Sequence, residues 1–202
     1  MCVLIGDKLM NDKYTIIAIM GKAGSGKDTL MHALLHTSTF SSAAPIISCT
    51  TRPIRDYEKD GVDYHFLSNE EFTNQILSGE MLEATVFNEW CYGTSIVNLN
   101  KDVVNIGVFN PEGVGILRSN SNINLKVIYL EANDKDRLLR QLNREKEPNC
   151  HEIVRRFNAD ENDFSEEEIT YIAPELFVTN NEGADINRIA NAIAQAWTQG
   201  QF

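Results

Sequence analysis

Nine consecutive residues restrict what this chain can fold into more than any other feature: Gly21-Lys22-Ala23-Gly24-Ser25-Gly26-Lys27-Asp28-Thr29. An apolar, β-branched run, Tyr14–Met20, precedes them. A helical stretch, Asp28–Leu35, follows, with Leu30, Met31, Leu34 and Leu35 on one face. Strand, glycine turn, helix, with the spacing G-x-x-x-x-G-K, is a phosphate-binding arrangement. The glycines let backbone N–H groups converge on phosphate oxygens with no Cβ in the way. The helix aims its positive end at the same oxygens, and Lys27 adds a point charge for the β- and γ-phosphates. Gly21, Ala23, Gly24, Ser25, Gly26, Lys27, Asp28 and Thr29 are therefore the expected contacts to the bound phosphates. Asp28 stands where Ser or Thr commonly follows the lysine. Two readings of it stand side by side: it helps to hold Mg²⁺ through water, or it simply favours the helix N-terminus. Thr29 is the nearest hydroxyl, for a phosphate or for the same water-mediated metal.

The rest of the chain alternates strands with helices. Pro45–Cys49, Leu82–Phe87, Trp90–Thr94, Asp102–Phe109, Leu125–Leu130 and Leu176–Thr179 read as short strands, with a polar turn at Asn88. Ser68 and Glu71 form a capping box for a helix through Phe72, Ile76 and Leu77 that Gly79 ends. Further helices are expected over Gly113–Ser119, Asp134–Glu145 (Leu138, Leu139 and Leu142 inward), His151 to about Asp163, and Ala184–Trp197. Ser165 and Glu168 form a second capping box. The fold expected is α/β with a largely parallel sheet.

Charge and composition set exclusions. Eighteen Lys+Arg against 29 Asp+Glu leave a net charge of −11, which argues against binding nucleic acid. Any polyanion must be met by a few concentrated cations. No run of about 18 apolar residues exists, so no membrane span is expected. Met1–Lys13 holds only the apolar patch Cys2–Ile5 before Asp7 and Asp12, which is not a secretory leader pattern. Cys2, Cys49, Cys91 and Cys150 are scattered, which suits a reducing cytoplasm and neither a disulfide framework nor a zinc site. His32 and His36 lie one helical turn apart with no third ligand.

A second constellation follows the glycine loop. Thr50-Thr51-Arg52-Pro53-Ile54-Arg55 presents two guanidinium groups in a Pro-stiffened segment, and such forks match phosphate oxygens. Arg137, Arg155 and Arg188, in contrast, read as surface ion pairs in an acidic protein. Beyond the paired arginines come Asp63-Tyr64-His65-Phe66, Glu70 to Phe72, Gly79-Glu80 with Glu83, and Tyr92-Gly93-Thr94. With these in order and spacing from about Ile16 to Ser95, the chain resembles the guanylate kinases; a weaker resemblance runs on through the arginine-bearing helices to the Asn180-Asn181 turn. The resemblance implies a P-loop kinase of three α/β/α layers with a parallel core sheet, an inserted nucleoside-monophosphate lobe and a small lid. It assigns residues 14–50 and 100–202 to the core, 51–99 to the lobe, about 140–156 to the lid and 1–13 to an N-terminal extension. It implies transfer of the γ-phosphoryl group of ATP, with Mg²⁺, to GMP or dGMP, so that the partners are small-molecule nucleotides. Ser48, Arg52, Arg55, Tyr64 and Tyr92 then fall at the acceptor phosphate, with Ser48 also in reach of the base. Glu83 and Thr94 fall at the guanine, and Asn180 at the adenine. Lys27, Arg52, Arg140, Arg144 and Arg156 are the implied catalytic cations, the last three in or flanking the lid.

Without any family, the set is coherent: phosphoryl transfer needs positioning and charge neutralisation from both sides, and lobe closure excludes water. One stretch departs from the pattern. Where the family shows an apolar strand ending Asp-x-Asp before a Gln-Gly turn, Asn105 stands in the first acidic position and Gly107 in the second. One carboxylate in place of two reads guanine less strictly. The departure favours a rival acceptor, ribose 1,5-bisphosphate, beside another (deoxy)nucleoside monophosphate; a non-catalytic guanylate-kinase-like binding module, which would reuse the acceptor lobe, is a separate alternative.

Overall fold

The computed structural model describes residues 13–55, 58–87, 89–144 and 146–202. The extension expected at 1–13 lies, Lys13 apart, outside the described residues, as does the turn expected at Asn88. In chain order the elements are β1 (Tyr14–Met20), α1 (Lys27–Leu35), β2 (Ala44–Pro45), β3 (Cys49–Thr50), β4 (His65–Phe66), α2 (Asn69–Leu77), β5 (Met81–Phe87), β6 (Trp90–Ser95), β7 (Val104–Val108), α3 (Pro111–Ser119), β8 (Ile123–Glu131), α4 (Asp134–Leu142), α5 (Cys150–Asp163), α6 (Glu166–Ile172), β9 (Leu176–Thr179) and α7 (Ile186–Thr198).

Five strands make one parallel sheet in the order β2-β7-β1-β8-β9. Its centre, β1, is fully buried from Ile16 to Met20, the continuous apolar run that a parallel strand covered on both faces requires. On one face α1 and α7 pack through Leu30, Leu34, Ala190 and Ile193. On the other, α3 and α6 pack through Val114, Leu117 and Ile172. The α/β class with a parallel sheet expected from the alternation, and the three α/β/α layers that the resemblance implies, are the ones observed. Residues 49–95 build a second sheet, β4-β3-β6-β5, with β3–β6 and β5–β6 antiparallel and β3–β4 parallel. The capping box of Ser68 and Glu71 opens α2 beside it, and Phe72 is that helix's buried residue.

Two expectations change. Pro45–Cys49 is not one strand: Ala44–Pro45 joins the edge of the core sheet and Cys49–Thr50 the second sheet, with the chain crossing between them. Proline tolerates an edge position because it has no N–H to give a further neighbour. Helix α4 ends at Leu142 and turns two of its three leucines outward: Leu139 is 44% exposed and Leu142 37%, while Leu138 is half-buried. It buries Asp136 and Arg137 instead. Its neighbours are helix α5 and the turns of the glycine loop and of Asn180–Glu182, not an apolar sheet face. Asp136 accepts from Asn133 Nδ2 and from the Glu182 N–H, and Arg137 reaches the glycine loop. Pattern counting assumes an apolar neighbour, and this helix has a polar one.

Candidate active site

Because the core strands run parallel, the carboxyl ends of β1 and β7 open on the same edge, where ligands of open α/β sheets bind. The chain leaves β1 directly into the glycine loop. Gly24 there has φ +79°, and a Cβ on it would come within 2.5 Å of the Arg137 carbonyl oxygen, so only glycine fits. Lys27 Nζ arches back over the loop to the carbonyls of Gly21 (2.7 Å) and Lys22 (3.2 Å). Burial lowers its pKa below the ordinary lysine value, against the attraction of Asp28 and Asp160. The Ser25 hydroxyl is buried inside the loop with no hydrogen-bond partner. A concave loop of backbone N–H groups with one cation and an unsatisfied hydroxyl fits a polyphosphate.

A cleft of about 310 Å³ runs from this loop to the second sheet. Gly21, Ala23 and Lys27 line one end; Ser48, Tyr64, Glu83 and Tyr92 line the other, with Arg156 and Asp160 along the side. The structure thus brings the predicted loop and most of the predicted acceptor residues to one space. Burial, with Glu112 nearby, pushes the Glu83 carboxyl up to about 7. Thr94, whose buried hydroxyl lies beside that carboxyl without a well-formed hydrogen bond, pulls the other way. Arg156 enters the cleft with its Nε fixed on Glu152 at 2.7 Å, and the adjacent Arg155 shares the same carboxylate. These arginines hold Glu152 down at about 2. Arg155 also lies over the Phe87 ring at 4.8 Å, so α5 touches the tip of β5 across the cleft mouth.

Other predicted residues are placed differently. Arg52 does not line the cleft. It is 6% exposed and paired with Glu58 through two hydrogen bonds (2.7 and 3.0 Å), with its guanidinium beside the Tyr64 and Phe66 rings. Glu58 also accepts the Arg55 N–H at 2.9 Å, and the Arg55 side chain is 38% exposed. Arg140 braces the loop from behind, donating to the carbonyls of Gly24, Ser25 and Asn180. Asn180 is buried and donates to the Ser25 carbonyl at 2.8 Å. Arg144 is exposed beyond the end of α4 and does not line the cleft. Asp28 and Thr29 are exposed at the start of α1.

The departure read at Asn105 and Gly107 is corrected. Asn105 sits at the other end of β7, where its amide donates to the carbonyls of Thr15, Asn100 and Val103 and closes a turn. Gly107 lies inside the core, where a Cβ would come within 2.8 Å of Ile46. The cleft residues at Asp-x-Asp spacing on this strand end are Val108 and Asn110. Asn110 caps α3 by accepting the Gly113 N–H at 2.8 Å, and its amide donates to Thr85 Oγ1 at 3.3 Å. The available signal was Asn110-Pro111 at a helix start, an N-cap before a proline. Neither Val108 nor Asn110 carries a carboxylate. Arg137, read as a surface ion pair, is 1% exposed and bonded to Asp160 at 2.6 Å. No motif contains either Asp160 or Glu58, and neither was found from the sequence.

A glycine loop between a parallel strand and its helix, facing a cleft with an inserted second sheet, defines a P-loop phosphate-binding α/β protein. The guanylate kinase family model matches residues 13–196, and the chain belongs to the guanylate kinase family. It is 31% identical over 179 residues to the guanylate kinase of Vibrio cholerae, a match covering 86% of this chain and 83% of that one. It is 44% identical over 91 residues to that of Malacoplasma penetrans, where the match covers 45% of this chain and 46% of the relative, so it spans about half of that protein's length. The crystal structure of guanylate kinase from Anaplasma phagocytophilum superposes with a TM-score of 0.65 over 94% of this chain and 87% of that one, at 22% identity.

Proposed function

We propose that the protein transfers the γ-phosphoryl group of ATP to GMP or dGMP, giving ADP and GDP or dGDP. One observation carries the reading: a single cleft holds the glycine loop with Lys27 at one end and a buried carboxyl, Glu83, with Tyr64 and Tyr92 at the other. The core (14–50 and 100–202) holds the donor, the lobe (51–99) holds the acceptor, and the lid lies within α4 and α5 around residues 140–156. The loop amides and Lys27 bind the donor phosphates. Ser48, Tyr64 and Tyr92 line the acceptor end, while Arg52 and Glu58 stiffen the segment that presents Arg55 to the acceptor phosphate. Glu83 accepts hydrogen bonds from the base edge, with the Thr94 hydroxyl in reach. Arg156 meets the charge developing between the two nucleotides, and the lid excludes water. Arg140 and Asn180 act on the loop's shape. Mg²⁺ neutralises phosphate charge when bound. It is a hard ion that takes one or two protein oxygens and keeps its waters. Asp28 or Thr29 supplies such oxygens, and no cluster of three or more metal-ligating side chains exists among the described residues.

No helix among the described residues is long and apolar enough to cross a membrane. With the scattered thiols Cys49, Cys91 and Cys150, all free, this supports work in the cytoplasm.

The test is ADP release with GMP, dGMP, IMP, AMP, UMP, dTMP and ribose 1,5-bisphosphate as acceptors. GMP and dGMP are expected to give the highest kcat/KM. Lys27→Ala is expected to lower kcat about 10²-fold or more, the scale of one electrostatic group at a transition state. Equal low rates on every nucleotide, or preference for the sugar phosphate, defeats the reading. Function unchanged in Lys27→Ala supports a binding module instead.

A further inference from the structure

The donor loop is held from outside by two residues that the proposed reaction does not use. Asp160, on α5, accepts the Ala23 N–H through Oδ2 at 2.8 Å. The same oxygen takes an N–H from Arg137, on α4, at 2.6 Å. Arg137 Nε in turn donates to the Ala23 carbonyl at 3.1 Å. One ion pair therefore grips both polar groups of a single loop residue. The guanidinium lies over the Phe157 ring at 4.7 Å and makes a further bond to Asp134 at 2.9 Å. Asp160 lines the cleft next to Lys27. Each partner is unfavourable alone. A buried arginine without an anion loses its hydration for nothing, and a carboxylate in a phosphate cleft repels the ligand. Together they form a charge-paired clamp, with Asp134 at 2.9 Å and Glu161 at 3.9 Å on the far side of the guanidinium.

We propose that Asp160, neutralised by Arg137, is a positioning residue for the phosphoryl donor. The pair suspends the shoulder of the glycine loop at Ala23 from the two lid helices, so the loop's phosphate-receiving shape depends on it. The inference rests on the donor assignment made above. Ser48, Tyr64, Glu83 and Tyr92 at the acceptor end make no hydrogen bond to either partner of the pair.

The experiment is calorimetric titration with Mg²⁺ and adenosine 5′-(β,γ-imido)triphosphate, and separately with GMP, with a thermal melt beside each variant. Asp160→Ala is expected to weaken the ATP analogue about tenfold, the worth of one charge-assisted hydrogen bond, and to leave GMP within about twofold. Asp160→Asn keeps an acceptor for Ala23 and is expected to stay within about threefold of wild type. If Asp160→Ala does not fold, Arg137→Met and Arg137→Met/Asp160→Asn replace it. The single variant leaves the carboxylate facing the phosphates and weakens the analogue about tenfold, and the double removes that charge and restores it. Asp160→Ala binding the analogue as wild type does, or losing both nucleotides equally, overturns the proposal. So does Asp160→Asn as weak as Asp160→Ala, or a double variant no better than its single parent. A wild-type protein that binds the analogue but does not phosphorylate GMP defeats the proposed reaction alone.

Discussion

Glu83 illustrates how surroundings rewrite one side chain. In the unfolded chain its carboxyl ionises near 4.5; buried in the cleft, it does so near 7. The folded state thus holds the proton more tightly, and this group's contribution to stability is full below about 4.5 and is lost as pH rises through about 7. Acceptor binding has the opposite slope, because a base edge that donates hydrogen bonds needs the ionised carboxylate. The KM for GMP is expected to fall severalfold between pH of about 6 and about 8, and Glu83→Gln to flatten the profile. A pH-independent KM in the wild type removes Glu83 from base recognition. Lys27 was legible in the sequence because it sits in a contiguous phosphate-loop pattern, and Glu83 only through the resemblance to the guanylate kinases. Arg137 and Asp160 were not: they lie on different helices, and an arginine's letter does not say whether its charge is in water or under a loop.

At the scale of elements, the sequence was most legible where the neighbour is apolar. Helix α1 packs Leu30 and Leu34 on the core sheet as its periodicity predicts. Helix α4 has equally good leucine spacing and the opposite orientation, because turns rich in carbonyls and N–H groups lie under it. The two helices therefore answer differently to mutation. Leu30→Ala is expected to cost about 2–5 kcal/mol, the range for a fully buried leucine. Leu139→Gln on α4 is expected to change stability by less than about 0.5 kcal/mol, as at other exposed sites. Urea unfolding of the two variants checks both, and a large loss at Leu139 contradicts the orientation of α4. Strand ends were the least legible: β7 runs from Val104 to Val108, and the Asp-x-Asp spacing was laid on Asn105 and Gly107, three residues short of Val108 and Asn110, where the strand opens on the cleft.

Across the whole molecule, a net charge of −11 surrounds a cleft built for anions. At long range the protein repels a nucleotide that its inner cations hold, and salt screens the long-range part first. The association rate of a fluorescent ATP analogue, followed by stopped flow, is expected to rise modestly as ionic strength goes from about 10 mM to about 150 mM. A rate that falls with salt shows that the local cations reach well beyond the cleft. The architecture carries one more consequence. The chain leaves the core sheet after Pro45 and re-enters it at Val104, and these strands are hydrogen-bonded neighbours, with Pro45 opposite Ile106. A segment whose two ends lie on neighbouring strands, two residues apart in register, is attached as a surface loop is, however large it grows. The second sheet is therefore heritable as a cassette: a lineage can exchange that piece, which in the proposed reaction holds the acceptor, while the core sheet passes on unaltered.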